Sequence, residues 1–415
     1  MVIIKKLSPY HGWLVVYALT LVMIGAYGTL LSFGVFLKPI LSEFGGTRAI
    51  ASGAMSTVQA TSGLVGIIVG RLTDKYGARV LLAVGALSGG SGYLLMSQSS
   101  SLWHLYSYFG IMVGIFIGSC WTPVNATVSK WFTRRRALAL GITNSGLMVG
   151  QMIVPPLAAF VTVSSGWRPA YIMLAFIVWI ALVPAILILG KNPPRDTNTR
   201  PVSISDKSSM QDKFKNLIPE KELTTAEAVK TSPFWMLMIT GLVTATSFYL
   251  ISTHVVAYAT DKGIAATPAA TILTLISVGS IVGNILIGNA SSRLGSSLPL
   301  FLMLAMQAVA LFLLIFANSL WILFALGFFF GLGFGGSVII RMSMISEFFG
   351  QKAIGSIIGI VAVGWSVGAI IGPFAAGLIF DLNGSYTIAF LVGGFLMVLG
   401  MSAIYLLKTD TKVFG

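Results

Sequence analysis

Acidic residues are scarce in this chain. Twelve Asp and Glu stand among 415 residues, and only 9% of the residues carry charge, against roughly 25% in soluble domains. That scarcity excludes an ordinary soluble enzyme, a disordered chain and a nucleic-acid-binding module. The one cysteine, Cys120, excludes an intramolecular disulfide and a thiolate metal cluster. Three histidines, His11, His104 and His254, lie far apart in the sequence, which argues against a histidine-based hydrolase centre. There is no Gly-Lys-Ser/Thr phosphate loop, so no ATP-driven pump is expected. The expectation is a protein that is not an enzyme and takes no metal and no cofactor.

Apolar sequence is abundant instead: 56% of the residues are hydrophobic. Twelve apolar segments reach the ~20 residues needed to cross a bilayer. They run near 13–37, 49–70, 80–98, 102–129, 137–161, 168–190, 234–258, 267–290, 298–317, 320–346, 353–379 and 386–407. The first is too long for the 7–15-residue core of a signal peptide. Lipid offers a backbone no hydrogen-bond partners, so each segment is expected to be helical; the short alternating strands of a barrel are absent. With the N-terminus inside, 21 of the 26 Lys and Arg fall on the inner side and only Lys38, Arg48, Arg168 and Lys262 outside. Both termini are therefore expected in the cytoplasm. The net charge of +14 then reflects topology, with attraction to anionic membrane lipid as a consequence. Residues 191–230 form the one long polar stretch and divide the chain into six-helix bundles at 1–190 and 231–415. Residues 224–228 within it have a helical pattern.

Displacing the chain by 218 residues brings Gly45 onto Gly263, Gly77 onto Gly295, Ser101-Leu102-Trp103 onto Ser319-Leu320-Trp321, Gly118 onto Gly336, Val149-Gly150 onto Val367-Gly368, and Gly166 onto Gly384. Six spans per repeat give both halves one orientation. They should be related by an axis along the membrane normal, with a pathway between them near the midplane. Between the second and third spans stands Gly70-Arg71-Leu72-Thr73-Asp74-Lys75-Tyr76-Gly77-Ala78-Arg79, with a degenerate partner around Gly288, Arg293 and Gly295. This loop resembles the G-x-L-x-D-[RK]-x-G-x-[RK] signature of the major facilitator superfamily. The resemblance implies two pseudo-symmetric bundles that work by alternating access. It also implies a gating role for Gly70, Arg71, Asp74, Lys75, Gly77, Arg79 and Arg293. His11-Gly12-Trp13, Ser32-Phe33-Gly34-Val35-Phe36, Ser129-Lys130-Trp131-Phe132 and Gly166-Trp167-Arg168 resemble the monocarboxylate and oxalate/formate transporter group.

A charge inside a span is costly and points to function. Arg341 in the tenth span is the one basic residue so placed, on a helical face with Phe330, Phe334 and Ser337. Its fork suits a carboxylate. It stands six residues before Glu347, so snorkelling to the interface is the alternative. Gly327, Gly331 and Gly335 form a neighbouring stripe for close packing. His254 in the seventh span is a candidate for substrate contact or for carrying a proton. Spans 1, 4 and 11 line the cavity in proteins of the resembled fold, which implies walls built from Tyr27, Trp121, Asn125 and Trp365. Where the resembled group carries basic residues in spans 8 and 11, this chain has Asn284 and Gly368. Glycines in spans 5 and 11 are expected to be sliding contacts between bundles.

No Asp or Glu stands in a span core, so a carboxylate-based proton relay is not expected. The function expected is secondary transport of a small organic anion, a mono- or dicarboxylate, by anion exchange or proton-linked symport. It would operate as a monomeric unit in the cell's inner (plasma) membrane. The alternatives are efflux of amphipathic compounds and a non-transporting sensor on the same fold.

Overall fold

The computed structural model describes residues 9–132, 135–189, 223–350 and 353–410. The side chains of Asp74 and of residues 288–294, Arg293 included, lie outside that description. Twelve helices are long and apolar enough to cross a membrane. Spans 1 to 6 are Gly12–Phe44, Arg48–Thr73, Ala78–Met96, Leu102–Trp131, Leu138–Ser165 and Trp167–Ile188. Spans 7 to 12 are Ser232–Asp261, Ala266–Ile287, Ser297–Leu314, Leu320–Phe349, Ile354–Asn383 and Thr387–Leu406. Span 1 runs seven residues beyond its expected end and bends at Ser32, which joins helices Pro9–Leu31 and Phe33–Phe44. The Ser32 hydroxyl donates back to the Gly28 carbonyl at 2.8 Å, a bond that bends helices. A short helix, Thr225–Ala228, carries a capping box from Thr224 and Glu227 just before span 7.

Within the first six spans, 1 packs on 5 and 6, 2 on 4, and 3 on 4 and 6; spans 7 to 12 repeat the scheme, with 7 on 11 and 12, 8 on 10, and 9 on 10 and 12. The two bundles meet through spans 2 and 11, 5 and 8, and 1 and 7. Large apolar side chains such as Leu64, Ile67, Phe160, Ile180 and Phe395 are exposed, as expected of helices solvated by lipid.

The repeat read from the sequence is built into the packing. The turn glycines Gly77 and Gly295 have φ of +80° and +71°, and Gly166 and Gly384 have +94° and +65°, a region that disfavours any side chain. Ser101 and Ser319 both cap their helices through the side chain. Gly146 and Gly150 of span 5 lie against the carbonyls of Thr20 and Ile24; Gly364 and Gly368 of span 11 lie against those of Met238 and Leu242. Each member of one set is 218 residues from its counterpart. These glycines therefore join spans within a bundle, span 5 to span 1 and span 11 to span 7. The expectation that they slide between bundles is corrected on this point: a missing Cβ lets two helix axes cross closely, and the closest crossings are inside each bundle.

Span 4 departs from the repeat. Gly114 and Gly118 pack on the carbonyls of Val58 and Ser62, as Gly331 and Gly335 pack on those of Ile276 and Ser280. Val58 to Ile276 is 218 residues, but Gly114 to Gly331 is 217. A π-helix over Leu105–Val113 takes up the extra residue. The sequence match of Gly118 with Gly336 is thus one residue out of spatial register.

Candidate functional site

Two polar centres lie between or beside the bundles. We call the end at which span 6 leaves and span 7 begins the linker end, and the opposite one the distal end.

The first centre surrounds Arg341. Eight residues separate it from Phe349 at the end of span 10, a depth of about 12 Å from the linker end. Snorkelling does not occur: Arg341 is only 3% exposed. Its Nη1 makes a weak bond to the Thr240 carbonyl of span 7 at 3.5 Å. The guanidinium carbon is 5.4 Å from the Trp365 ring centre. Phe334 lies 6.1 Å from Trp365 and stacks at 4.1 Å on Phe248. Gly241 leaves space above the guanidinium, since a Cβ there would stand 3.9 Å from its carbon. Among the described residues no carboxylate pairs with Arg341. A buried cation stacked on an aromatic face and lacking a counter-ion is a ready anion-binding group.

The opposing bundle presents Tyr27 and Trp121, whose rings meet edge to face at 6.1 Å. Trp121 is 45% exposed. Asn125 accepts from the Asn144 amide at 3.0 Å and donates to the Trp121 carbonyl at 2.9 Å. Among the described residues the buried Oδ1 atoms of Asn144 and of Asn284 in span 8 have no partner, so each can accept from a bound molecule. At mid-depth Tyr249 of span 7 lies beside Tyr27 and against the Gln59 side chain of span 2. Asn144, Gln59, Phe248 and Tyr249 were not singled out from the sequence; Asn144 stands inside the glycine-rich span 5 motif, and the aromatics look like ordinary span residues.

The second centre closes the distal end. Arg48 at the start of span 2 binds Asp261 at the end of span 7 through two bonds of 2.6 and 2.9 Å. Lys38 of span 1 adds a third at 2.9 Å. The Asp381 carboxylate, at the end of span 11, accepts from the backbone N–H of Arg48 at 2.9 Å and of Ala49 at 2.7 Å. It caps the helix of the other bundle. The Arg48 guanidinium also lies 3.6 Å over the Phe380 ring and donates to the Tyr386 hydroxyl at 2.7 Å. Tyr386 in turn bonds His254 Nδ1 at 2.9 Å, and His254 Nε2 bonds the Pro373 carbonyl at 2.9 Å. Backbone contact between Gly34 and Thr253, and between Gly377 and Ala49, completes the seal. The sequence proposed His254 for substrate contact. The structure buries it completely and occupies both ring nitrogens. Along span 7 it stands about 20 Å from Gly241 and so from Arg341.

Of the loop between spans 2 and 3, Arg71, Lys75, Gly77 and Arg79 are exposed at the linker end, and Gly70 lies near Thr122. Asp74 and Arg293, expected to gate, fall outside the described side chains. Open space surrounds Gly141, Gly355 and Gly359 toward the same end. The distal end is thus the sealed one.

Comparison with known proteins adds three findings. The family model described as Major Facilitator Superfamily matches residues 16–276 and 237–413. The rat Monocarboxylate transporter 13 is 27% identical over 395 residues, covering 94% of this chain and 87% of that protein. The human Monocarboxylate transporter 12 is 26% identical over 405 residues, at 93% and 78% coverage. Among solved structures, an inward-facing, unoccupied bacterial homologue of the human lysosomal transporter Spinster superposes with a TM-score of 0.74. Its sequence identity is 15%, and the match covers 96% of this chain and 97% of that one.

Proposed function

The chain belongs to the major facilitator superfamily, and on that premise we propose that it carries a small organic anion, a mono- or dicarboxylate, by alternating access. The observation that carries this reading is the buried guanidinium of Arg341 with no carboxylate partner among the described residues. A site that holds an uncompensated cation inside a membrane favours an occupant that brings the missing negative charge. Trp365, Phe334 and Phe248 supply apolar walls beside it, and Trp121 with Tyr27 faces them from the other bundle. The names of the relatives, monocarboxylate transporters 12 and 13, support the same class. Asn284 and Gly368 stand where the resembled group carries further cations, which leaves Arg341 as the charge selector.

In this reading the distal end is external, the termini are cytoplasmic, and the sealed distal end makes the state inward-facing. The carrier sits as a monomeric multi-pass unit in the plasma membrane and runs as an exchanger or a proton-linked symporter.

The test is counterflow in proteoliposomes loaded with unlabelled carboxylates, following labelled uptake without an ion gradient. Accumulation of at least one of formate, lactate, pyruvate, oxalate or succinate is expected. Charge-assisted bonds contribute about 1.5–3 kcal/mol. Arg341→Gln should therefore weaken the apparent affinity roughly ten- to a hundredfold while the protein inserts normally. No accumulation across the panel by folded protein, or unchanged affinity in Arg341→Gln, rejects the assignment.

A further inference from the structure

The hydrogen atoms of the distal network can be assigned from chemistry alone. The Pro373 carbonyl only accepts, so the proton of His254 is on Nε2. The Arg48 guanidinium only donates, so the Tyr386 oxygen accepts from it. That leaves the Tyr386 hydroxyl hydrogen for His254 Nδ1. The run from Arg48 through Tyr386 and His254 to Pro373 is fully satisfied by a neutral imidazole of one tautomer. It links span 2 of one bundle to the start of span 12, span 7 and span 11 of the other.

A second proton, on Nδ1, breaks this arrangement. Nδ1 would then donate toward an oxygen already serving Arg48, and the Tyr386 hydrogen would lose its acceptor. The imidazolium would also face the Arg48 guanidinium across a single phenol oxygen. Among the described residues the charged groups of the latch around His254 are Arg48 from span 2, Lys38 from span 1, Asp261 from its own span and Asp381 from span 11. Tyr258 and Tyr386 are the titratable phenols nearby, with rings 6.1 Å apart. Two cations and two carboxylates cancel, so a protonated His254 adds an unmatched buried charge. Both carboxylates are already committed, Asp261 to Arg48 and Lys38, Asp381 to the start of span 2. The Tyr386 hydroxyl is a phenol, whose ordinary ionisation at about pH 10 leaves it protonated throughout the range in which an imidazole titrates. Among the latch groups only an imidazole changes charge between pH 5 and 8.

We propose that His254 is the proton-responsive pin of the distal latch: neutral, it holds the bundles together, and protonated, it releases spans 1 and 2 from spans 7 and 11. The role is separate from substrate contact. Reclosure requires the proton to leave, so acidity on the distal side shifts the equilibrium toward the distal-open state. The inference relies on the transport reading only for what that opening accomplishes: external acid would favour loading from outside.

Linkage sets the size of the effect. The proposal has the open state hydrate His254, and a hydrated imidazole ionises at about 6.5. The closed state excludes the proton. The open-to-closed ratio should then rise about tenfold between pH 7.5 and pH 5.5. The experiment places spin labels at cysteines replacing Ser42 and Asn383, exposed at the distal ends of the two bundles, in a Cys120→Ala background. Distances are read in nanodiscs between pH 8 and pH 5. The unsubstituted latch should lengthen as pH falls. His254→Gln should remove the response. Tyr386→Phe should open the latch already at pH 8. His104→Gln should keep the response, because the His104 ring accepts from the Ser100 backbone and stacks on Tyr108 inside one bundle, away from the latch. A distance constant from pH 8 to 5, or a response that survives His254→Gln, overturns the proposal. The distances need no substrate, so failure of the anion assignment and failure of the latch are told apart.

Discussion

Arg341 and His254 are both ionisable residues inside apolar runs, and both could be picked out from the sequence for that reason alone. Their uses diverge because their neighbours differ. Among the described residues Arg341 meets an aromatic face and a distant carbonyl, and no carboxylate. His254 meets a phenol and a carbonyl, which consume both nitrogens. The fork of Arg341 also predicts that charge alone is insufficient. Arg341→Lys should keep the protein folded yet bind anion at least about fivefold more weakly, because an ammonium lacks two parallel donors and stacks less well on Trp365. Concentration dependence of counterflow measures this, and equal affinity for Lys and Arg would reduce Arg341 to a point charge. Arg48 was not legible in the same way. It stands at a span end, where a cation is unremarkable, and its partners Asp261 and Tyr386 lie 213 and 338 residues away.

At the level of the helices, glycine spacing in spans 5 and 11 could be read from the sequence, but the surface it served could not. Spacing tells which glycines share a face; it does not tell which helix the face meets. The resolved packing makes a four-part prediction. Gly150→Ala and Gly368→Ala each drive a Cβ into a backbone carbonyl of the neighbouring span, Ile24 or Leu242. Backbone cannot swing aside, so overpacking of about 1–3 kcal/mol is expected and the melting temperature should fall in detergent. Gly141→Ala and Gly359→Ala meet nothing within 4 Å and should melt as the parent does. Equal loss at all four sites would contradict the packing described. The π-helix of span 4 shows a second limit. A one-residue slip in space leaves the sequence alignment ungapped, so only the contacts of Gly114 and Gly118 betray it.

Across the whole molecule, the described cross-bundle ion pairs, Lys38 and Arg48 with Asp261, gather at the distal end. Exposed pairs contribute little singly. This group gains from Arg48 being shared among a carboxylate, a phenol and an aromatic face, and from the Asp381 cap. Close backbone contact is the other half of the seal. At Gly34 a Cβ would stand 2.7 Å from the Thr253 carbonyl oxygen, and at Gly377 one would stand 2.7 Å from that of Arg48. Both contacts run between the bundles. Gly34→Val and Gly377→Val should therefore lengthen the distal distance between labels at 42 and 383 at pH 8, with each bundle intact by circular dichroism. Distances identical to the parent would show that the seal tolerates bulk and that the charges alone hold it.

The sequence by itself determined the twelve spans, the twofold repeat, the superfamily and the one cation buried in a span, because burial in lipid imposes length and apolarity locally, and a repeat or loop motif is written in contiguous residues. Only the tertiary structure decided which ends of the spans meet, that Asp381 caps a helix of the other bundle, and that His254 bonds Tyr386 and Pro373 while Arg341 has no carboxylate partner among the described residues. Those outcomes depend on groups hundreds of residues apart being brought within bonding distance, and a hydrogen bond of 2.9 Å leaves no trace in the spacing of residues along the chain.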